Sequence, residues 1–116
     1  MTDQVELPQI SVEELKRVRE EGTPHVLLDV REEHEWKFAR IEGARLLPLS
    51  RLARELTAAL PADLTPDSRI IVQCHHGVRS AQVTAWLRQL GFKNAFNLTG
   101  GIDEWSLRID PGVPRY

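Results

Sequence analysis

The sequence predicts an α/β domain built on a mainly parallel sheet. Three observations carry that reading. Short β-rich apolar runs recur, as HVLLDV (25–30), RIIVQC (69–74) and AFNL (95–98). Stretches with helical spacing separate them, and turn residues punctuate the junctions.

Taken in order, Gln9-Ile10 is a short strand. Ser11 and Glu14 have the capping-box spacing, and Val12, Leu15 and Val18 then share one side of a helix that stops near Gly22. His25 to Val30 is a compact apolar strand. Glu32 to Phe38 reads as a short charged helix, and the charges from Arg31 to Arg40 as its solvated face. Arg45 to Leu49 is a weaker strand that Pro48 confines to an edge or an end. Ser50 can cap a helix on which Leu52, Leu56, Ala59 and Leu60 repeat, and Pro61 to Ser68 is turn-rich. Arg69 to Cys74 is the strongest strand, short and β-rich as a buried parallel strand should be. His75 to Val78 forms a loop. From Arg79 a helix carries Val83, Trp86, Leu87 and Leu90 on one face and stops at Gly91. Ala95 to Leu98 is the last strand. Gly100-Gly101 then turns into a short helix over Ile102–Leu107. Trp36, Trp86 and Trp105 read as packing residues, and His25 and His34 as ordinary surface or strand-edge positions.

A length of 116 residues suits one domain, taken as 1–116. Such a chain buries roughly two-thirds of its extended surface, enough for a core without disulfide or metal staples. The net charge of -2 offers no cationic excess to a phosphate backbone, which argues against nucleic acid as a partner. No apolar run approaches the roughly 18 residues of a membrane span. The N-terminal MTDQVELP lacks the cationic-then-apolar order of a secretory signal. Cys74 has no second cysteine to pair with, which fits a reducing compartment, most simply the cytoplasm.

In sheets of this kind the functional crevice lies beyond the carboxyl ends of the strands. Cys74 stands there, at the end of the strongest strand, and opens the segment Cys74-His75-His76-Gly77-Val78-Arg79-Ser80. A short loop between strand and helix can turn successive N–H groups inward. Joined by the free N–H groups of the helix start, these make an anion cradle. Gly77 permits a conformation that a side chain would obstruct. A thiol at the centre has its thiolate, the nucleophilic form, stabilised by these dipoles and by Arg79, which also reads as an anion binder. Ser80 either orients the loop or starts the helix. His75 and His76 shape the rim: two adjacent His beside a Cys lack zinc-ligand spacing, and no second CxxC or HxxxH exists. Asp29 and Arg31, at the end of the second strand, read as a structural ion pair or loop anchor. The alternative for Cys74 is a buried structural cysteine.

CHHGVRS resembles the active-site loop of the rhodanese family of sulfurtransferases. LLDVRE (27–32) resembles that family's first strand motif, Arg40-Ile41-Glu42-Gly43-Ala44 its His-Ile-Pro-Gly-Ala motif, and LTGGIDEW (98–105) its C-terminal Gly-Gly…Trp motif. The matches come in family order over nearly the whole chain, and the length matches the single-domain form. Arg40 and Glu42 depart from the family's usual His and Pro, away from the catalytic loop. The resemblance implies a five-stranded parallel sheet with helices on both faces. It implies that Cys74 takes the outer sulfur of a donor such as thiosulfate, releases sulfite, and passes the sulfur from a persulfide to cyanide or a thiol. The backbone N–H groups of His75, His76, Gly77, Val78, Arg79 and Ser80 would cradle the persulfide, with no metal or organic cofactor. The implied partners are a small anionic sulfur donor and a thioredoxin-like or sulfur-carrier protein acceptor. The tail IDPGVPRY resembles the ends of rhodanese domains attached to sulfur-carrier activating enzymes. A persulfide carrier or docking module without turnover is the alternative. Cysteine phosphatase or arsenate reductase chemistry is the remote one, because related phosphatase loops place five residues between Cys and Arg. Here four lie between Cys74 and Arg79.

Overall fold

β4 (Ile70–Gln73) is buried at every residue, because it is the central strand of the sheet and is covered on both faces. The computed structural model describes residues 7–116, so most of the MTDQVELP segment lies outside the described residues. The sheet is wholly parallel, in the order β1-β5-β4-β2-β3. β1 is Gln9–Ile10, β2 Val26–Asp29, β3 Arg45–Leu46 and β5 Ala95–Leu98. β2 and β4 run in register from Val26 opposite Ile70 to Asp29 opposite Gln73, so both end at the same edge. Pro48 agrees with its strand: β3 lies at an edge and ends before the proline.

Alternation along the strands divides the core in two. Leu27, Ile71 and Leu98 face Val12, Leu15 and Val18 of α1 (Val12–Glu21) and Ile102 and Trp105 of α5 (Gly101–Arg108). Leu28, Ile70, Val72 and Cys74 face Leu52 of α3 (Leu49–Glu55) and Val83 and Leu87 of α4 (Val78–Gln89). Helices thus cover both faces. The start of α1 is closed by a reciprocal capping box, with Ser11 Oγ accepting from the Glu14 amide at 3.1 Å and Glu14 Oε1 accepting from the Ser11 amide at 3.1 Å.

Four expectations are corrected. The helix drawn through Leu60 ends at Glu55. Leu56 adopts a φ of 53° and begins a 3-10 turn, Leu56–Ala59, with its side chain 58% exposed. Leu56 anchors nothing in the core, so a continuous helix has no packing to hold it there. Its cap is Pro48, and the Ser50 hydroxyl instead donates to Glu32. On α4, Trp86 is only half-buried and Leu90 is exposed. Finally, the charged stretch is not a uniformly solvated face. In α2 (Glu33–Phe38) Glu35 turns inward, and Arg31 just ahead of it is fully buried. Arg31 Nη2 lies 2.6 Å from Asp29 Oδ2 and donates to the Ala39 carbonyl at 2.7 Å, the structural anchor expected of the Asp29–Arg31 pair. No helix among the described residues is long and apolar enough to cross a membrane.

Candidate functional site

The loop after β4 is shaped by what its carbonyls bind. The first-turn amides of a helix lack carbonyl partners within it. In α5 those of Ile102 and Asp103 donate to the Cys74 and His75 carbonyls at 2.9 and 3.1 Å. A trans peptide points its N–H opposite its C=O, so the His75 and His76 amides face away from α5. This docking needs Gly101: a Cβ there would lie 2.3 Å from the Cys74 carbonyl oxygen. Gly77 has a φ of 103°, a left-handed conformation that lets the chain turn into α4. Its carbonyl accepts from Asn97 Nδ2 at 3.2 Å and from the Ala81 amide at 3.2 Å.

Cys74 is 1% exposed, and its sulfur accepts from the amides of Gly77 at 3.2 Å and Ser80 at 3.3 Å. Ser80 Oγ also lies 3.3 Å from Sγ. Because Asn97 Nδ2 is committed to the Gly77 carbonyl, Asn97 Oδ1 must face Ser80 and accepts its hydroxyl proton at 2.5 Å. Ser80 is therefore both the third helical residue and a contact of the sulfur. The Val78 and Arg79 amides belong to the same first turn, and the Val78 side chain stands 70% exposed at the lip.

The opposite wall is made of side chains. Arg79 does not place its guanidinium on the sulfur. Its Nη1 and Nη2 donate to the two carboxylate oxygens of Glu35 at 2.7 and 2.9 Å. The Tyr116 hydroxyl donates to Glu35 Oε2 at 2.8 Å and accepts from Arg31 Nη1 at 2.9 Å. The Arg79 hydrogen bonds, opposed by partial burial, hold the Glu35 carboxyl down at about 2. The same pairing raises Arg79. Burial pushes the Tyr116 phenol up to about 12. The His75 ring stacks on Tyr116 with centroids 3.9 Å apart and planes 7° apart, and its other neighbour is His76. Burial, then the nearby His76, lower its basicity and favour the neutral ring. His76 is exposed, 3.8 Å from Asp103. Among the described residues no group of three or more His, Cys, Asp or Glu could hold a metal ion.

Glu35, Tyr116 and Asn97 were not singled out from the sequence. Glu35 carries only a capping signal, three residues after Glu32, and nothing local marks Tyr116 or Asn97 as neighbours of the loop.

The rhodanese-like domain profile matches residues 11–108. The chain is 37% identical over 114 residues to adenylyltransferase and sulfurtransferase MOCS3-2 of Zea mays, covering 96% of this chain and 23% of that protein. It is 39% identical over 90 residues to the chloroplastic rhodanese-like/PpiC domain-containing protein 12 of Arabidopsis thaliana, covering 78% of this chain and 30% of that protein. The chain thus spans less than a third of the length of these curated relatives. The solved human single-domain sulfurtransferase TSTD1 superposes with a TM-score of 0.77 at 28% identity, covering 89% of this chain and 98% of that one.

Proposed function

The chain belongs to the rhodanese-like family, and on that premise we propose that it is a sulfurtransferase working through a persulfide on Cys74. The observation that carries the reading is the pair of amides, Gly77 and Ser80, aimed at the buried sulfur. Fixed dipoles of this kind favour the thiolate and need no reorganisation when negative charge develops. In the forward half-reaction the thiolate attacks the outer sulfur of a donor such as thiosulfate. A bond forms between Cys74 Sγ and that sulfur, the donor's S–S bond breaks, and sulfite leaves with the electron pair. The persulfide carries the remaining charge into the cradle formed by the amides from His75 to Ser80. A nucleophilic acceptor, cyanide in an assay or a thiol of a thioredoxin-like or sulfur-carrier protein, then takes the outer sulfur and returns the thiolate. This is two-step covalent catalysis and should give ping-pong kinetics. The sulfurtransferase names of the maize and human relatives support the reading. A reducing compartment such as the cytoplasm would keep the thiol available.

Intact-mass measurement after incubation with excess thiosulfate tests it. Wild type should gain one sulfur atom, removable by a reducing thiol, and Cys74→Ser should stay folded and gain none. Transfer to cyanide by Cys74→Ser at the wild-type rate would refute the mechanism. A carrier without turnover is the second reading, favoured by the maize relative's composite name. It predicts a loaded protein that yields its sulfur to a partner protein but not to cyanide. Hydrolysis of an aryl phosphate should be negligible.

A further inference from the structure

Arg79 is the one charged side chain within the Cys74–Ser80 loop. An unpaired guanidinium there would draw a small dianion towards the sulfur. The fold does not leave it unpaired. Both terminal nitrogens are taken by Glu35, whose carboxylate is itself fixed from two further sides. The Glu32 amide donates to Glu35 Oε1 at 3.0 Å and the Tyr116 hydroxyl to Oε2 at 2.8 Å. The Glu35 side chain is 10% exposed and that of Arg79 32%. Swinging Arg79 towards a ligand would therefore leave a largely desolvated carboxylate without its cation. The neighbouring guanidiniums are engaged as well, Arg31 with Asp29 and Arg115 with Asp103. Besides His76, which faces Asp103, the exposed side chains of the rim are aromatic and apolar: Phe38 is 56% exposed, Tyr116 44% and Val78 70%. An open cleft of about 360 Å³, lined by His34, Glu35, Phe38 and Tyr116, lies beside the ion pair. That is room for the carbon skeleton of a small organic molecule.

We propose that Glu35 is a specificity-determining residue, which by neutralising Arg79 turns the site away from dianionic thiosulfate and towards persulfides of organic thiols. The proposal rests on the sulfur-transfer reading of Cys74. The step balances without a co-reactant. The Cys74 thiolate attacks the outer sulfur of R–S–SH, the donor S–S bond breaks, R–S⁻ departs with the electron pair, and the proton stays on the transferred sulfur.

Kinetics with thiosulfate and with freshly generated N-acetylcysteamine persulfide, on wild type and Glu35→Gln, provide the test. Glu35→Gln should raise the ratio of kcat/KM for thiosulfate to that for the persulfide by about ten-fold or more, through KM rather than kcat. Thiosulfate loading should also become steeply salt-dependent in that variant, whereas in wild type it should vary little with ionic strength. A merely structural role would lower both donors together and leave the salt dependence alone. Glu33→Gln, which removes an exposed carboxylate from the same helix without touching Arg79, should leave the donor ratio within about two-fold of wild type. An unchanged or lower ratio in Glu35→Gln overturns the proposal, as does steep salt dependence in wild type should Glu35→Gln fail to fold. Wild type that accepts sulfur from neither donor overturns the sulfur-transfer reading and this proposal with it.

Discussion

On the α4 side of Cys74 the contacts to sulfur are the amides of Gly77 and Ser80 and the Ser80 hydroxyl, supplied within six residues of the thiol. On the α2 side the wall is made of side chains that meet over long stretches of sequence, Arg79 with Glu35 across 44 positions and Arg31 with Tyr116 across 85. The first half is mostly backbone, so only the short side chains of Ser80 and Asn97 have to be frozen to hold it, and its polarity is set by helix α5 and Asn97. The second half costs side-chain entropy and desolvation, yet substitution can retune it without redirecting the chain. On the functions proposed above, chemistry would reside in the half that sequence change alters least easily, and selectivity in the half that it alters readily.

Arg31→Ala should give the largest effect on stability. It leaves the carboxylate of Asp29, 0% exposed, without its cation, a loss of about 3–5 kcal/mol for a broken buried pair. Urea denaturation measures it. Because Gly77 and Ser80 do not depend on Arg31, the folded fraction should still load sulfur on Cys74. Loss of loading in fully folded Arg31→Ala would show that the two halves are coupled.

Gly101→Ala makes the converse cut. An added Cβ meets the Cys74 and His75 carbonyl oxygens at 2.3 and 2.6 Å, at a φ of +61°, so the loop must move off α5. A cost of about 2–3 kcal/mol is expected from clash and strain combined. Sulfur loading should fall further than stability does, because the amides no longer converge. Wild-type loading rates in this variant would disprove the role of α5 in aiming them.

Tyr116→Phe should cost about 1 kcal/mol, the size of a partly exposed hydrogen bond. The remaining test concerns pH. The Glu35 carboxyl sits at about 2 in the fold against an ordinary 4.5, so its stabilising contribution is complete above 4.5 and is lost as pH falls towards 2. His75, also lowered, adds in the same direction below its ordinary 6.5. Wild type should thus lose stability on acidification, and Glu35→Gln should show a shallower acid limb in a pH series of thermal melts.

Much of the architecture was legible locally. Val26–Asp29, Ile70–Gln73 and Ala95–Leu98 lie inside the runs that pattern alone assigns, because strands buried on both faces are apolar at nearly every position. The Ser11–Glu14 box and the stop at Gly22 follow from hydrogen bonding and φ within a turn or two. The error at Leu56 has the same origin in reverse. Periodicity records which residues could share a face, but only packing decides whether that face is used.

The sequence by itself determined the parallel α/β plan and the place of Cys74 at a strand end. It also placed Gly77 at a turn opening α4. Each depends on residues near in the chain, where propensity, capping and alternation act. Tertiary structure alone decided that Arg79 is held by Glu35, that Asn97 orients Ser80, and that α5 and Tyr116 close on the loop. Those contacts join residues 17 to 44 positions apart. Their free energies come from desolvation and directional hydrogen bonds, which exist only once the sheet has brought the partners together.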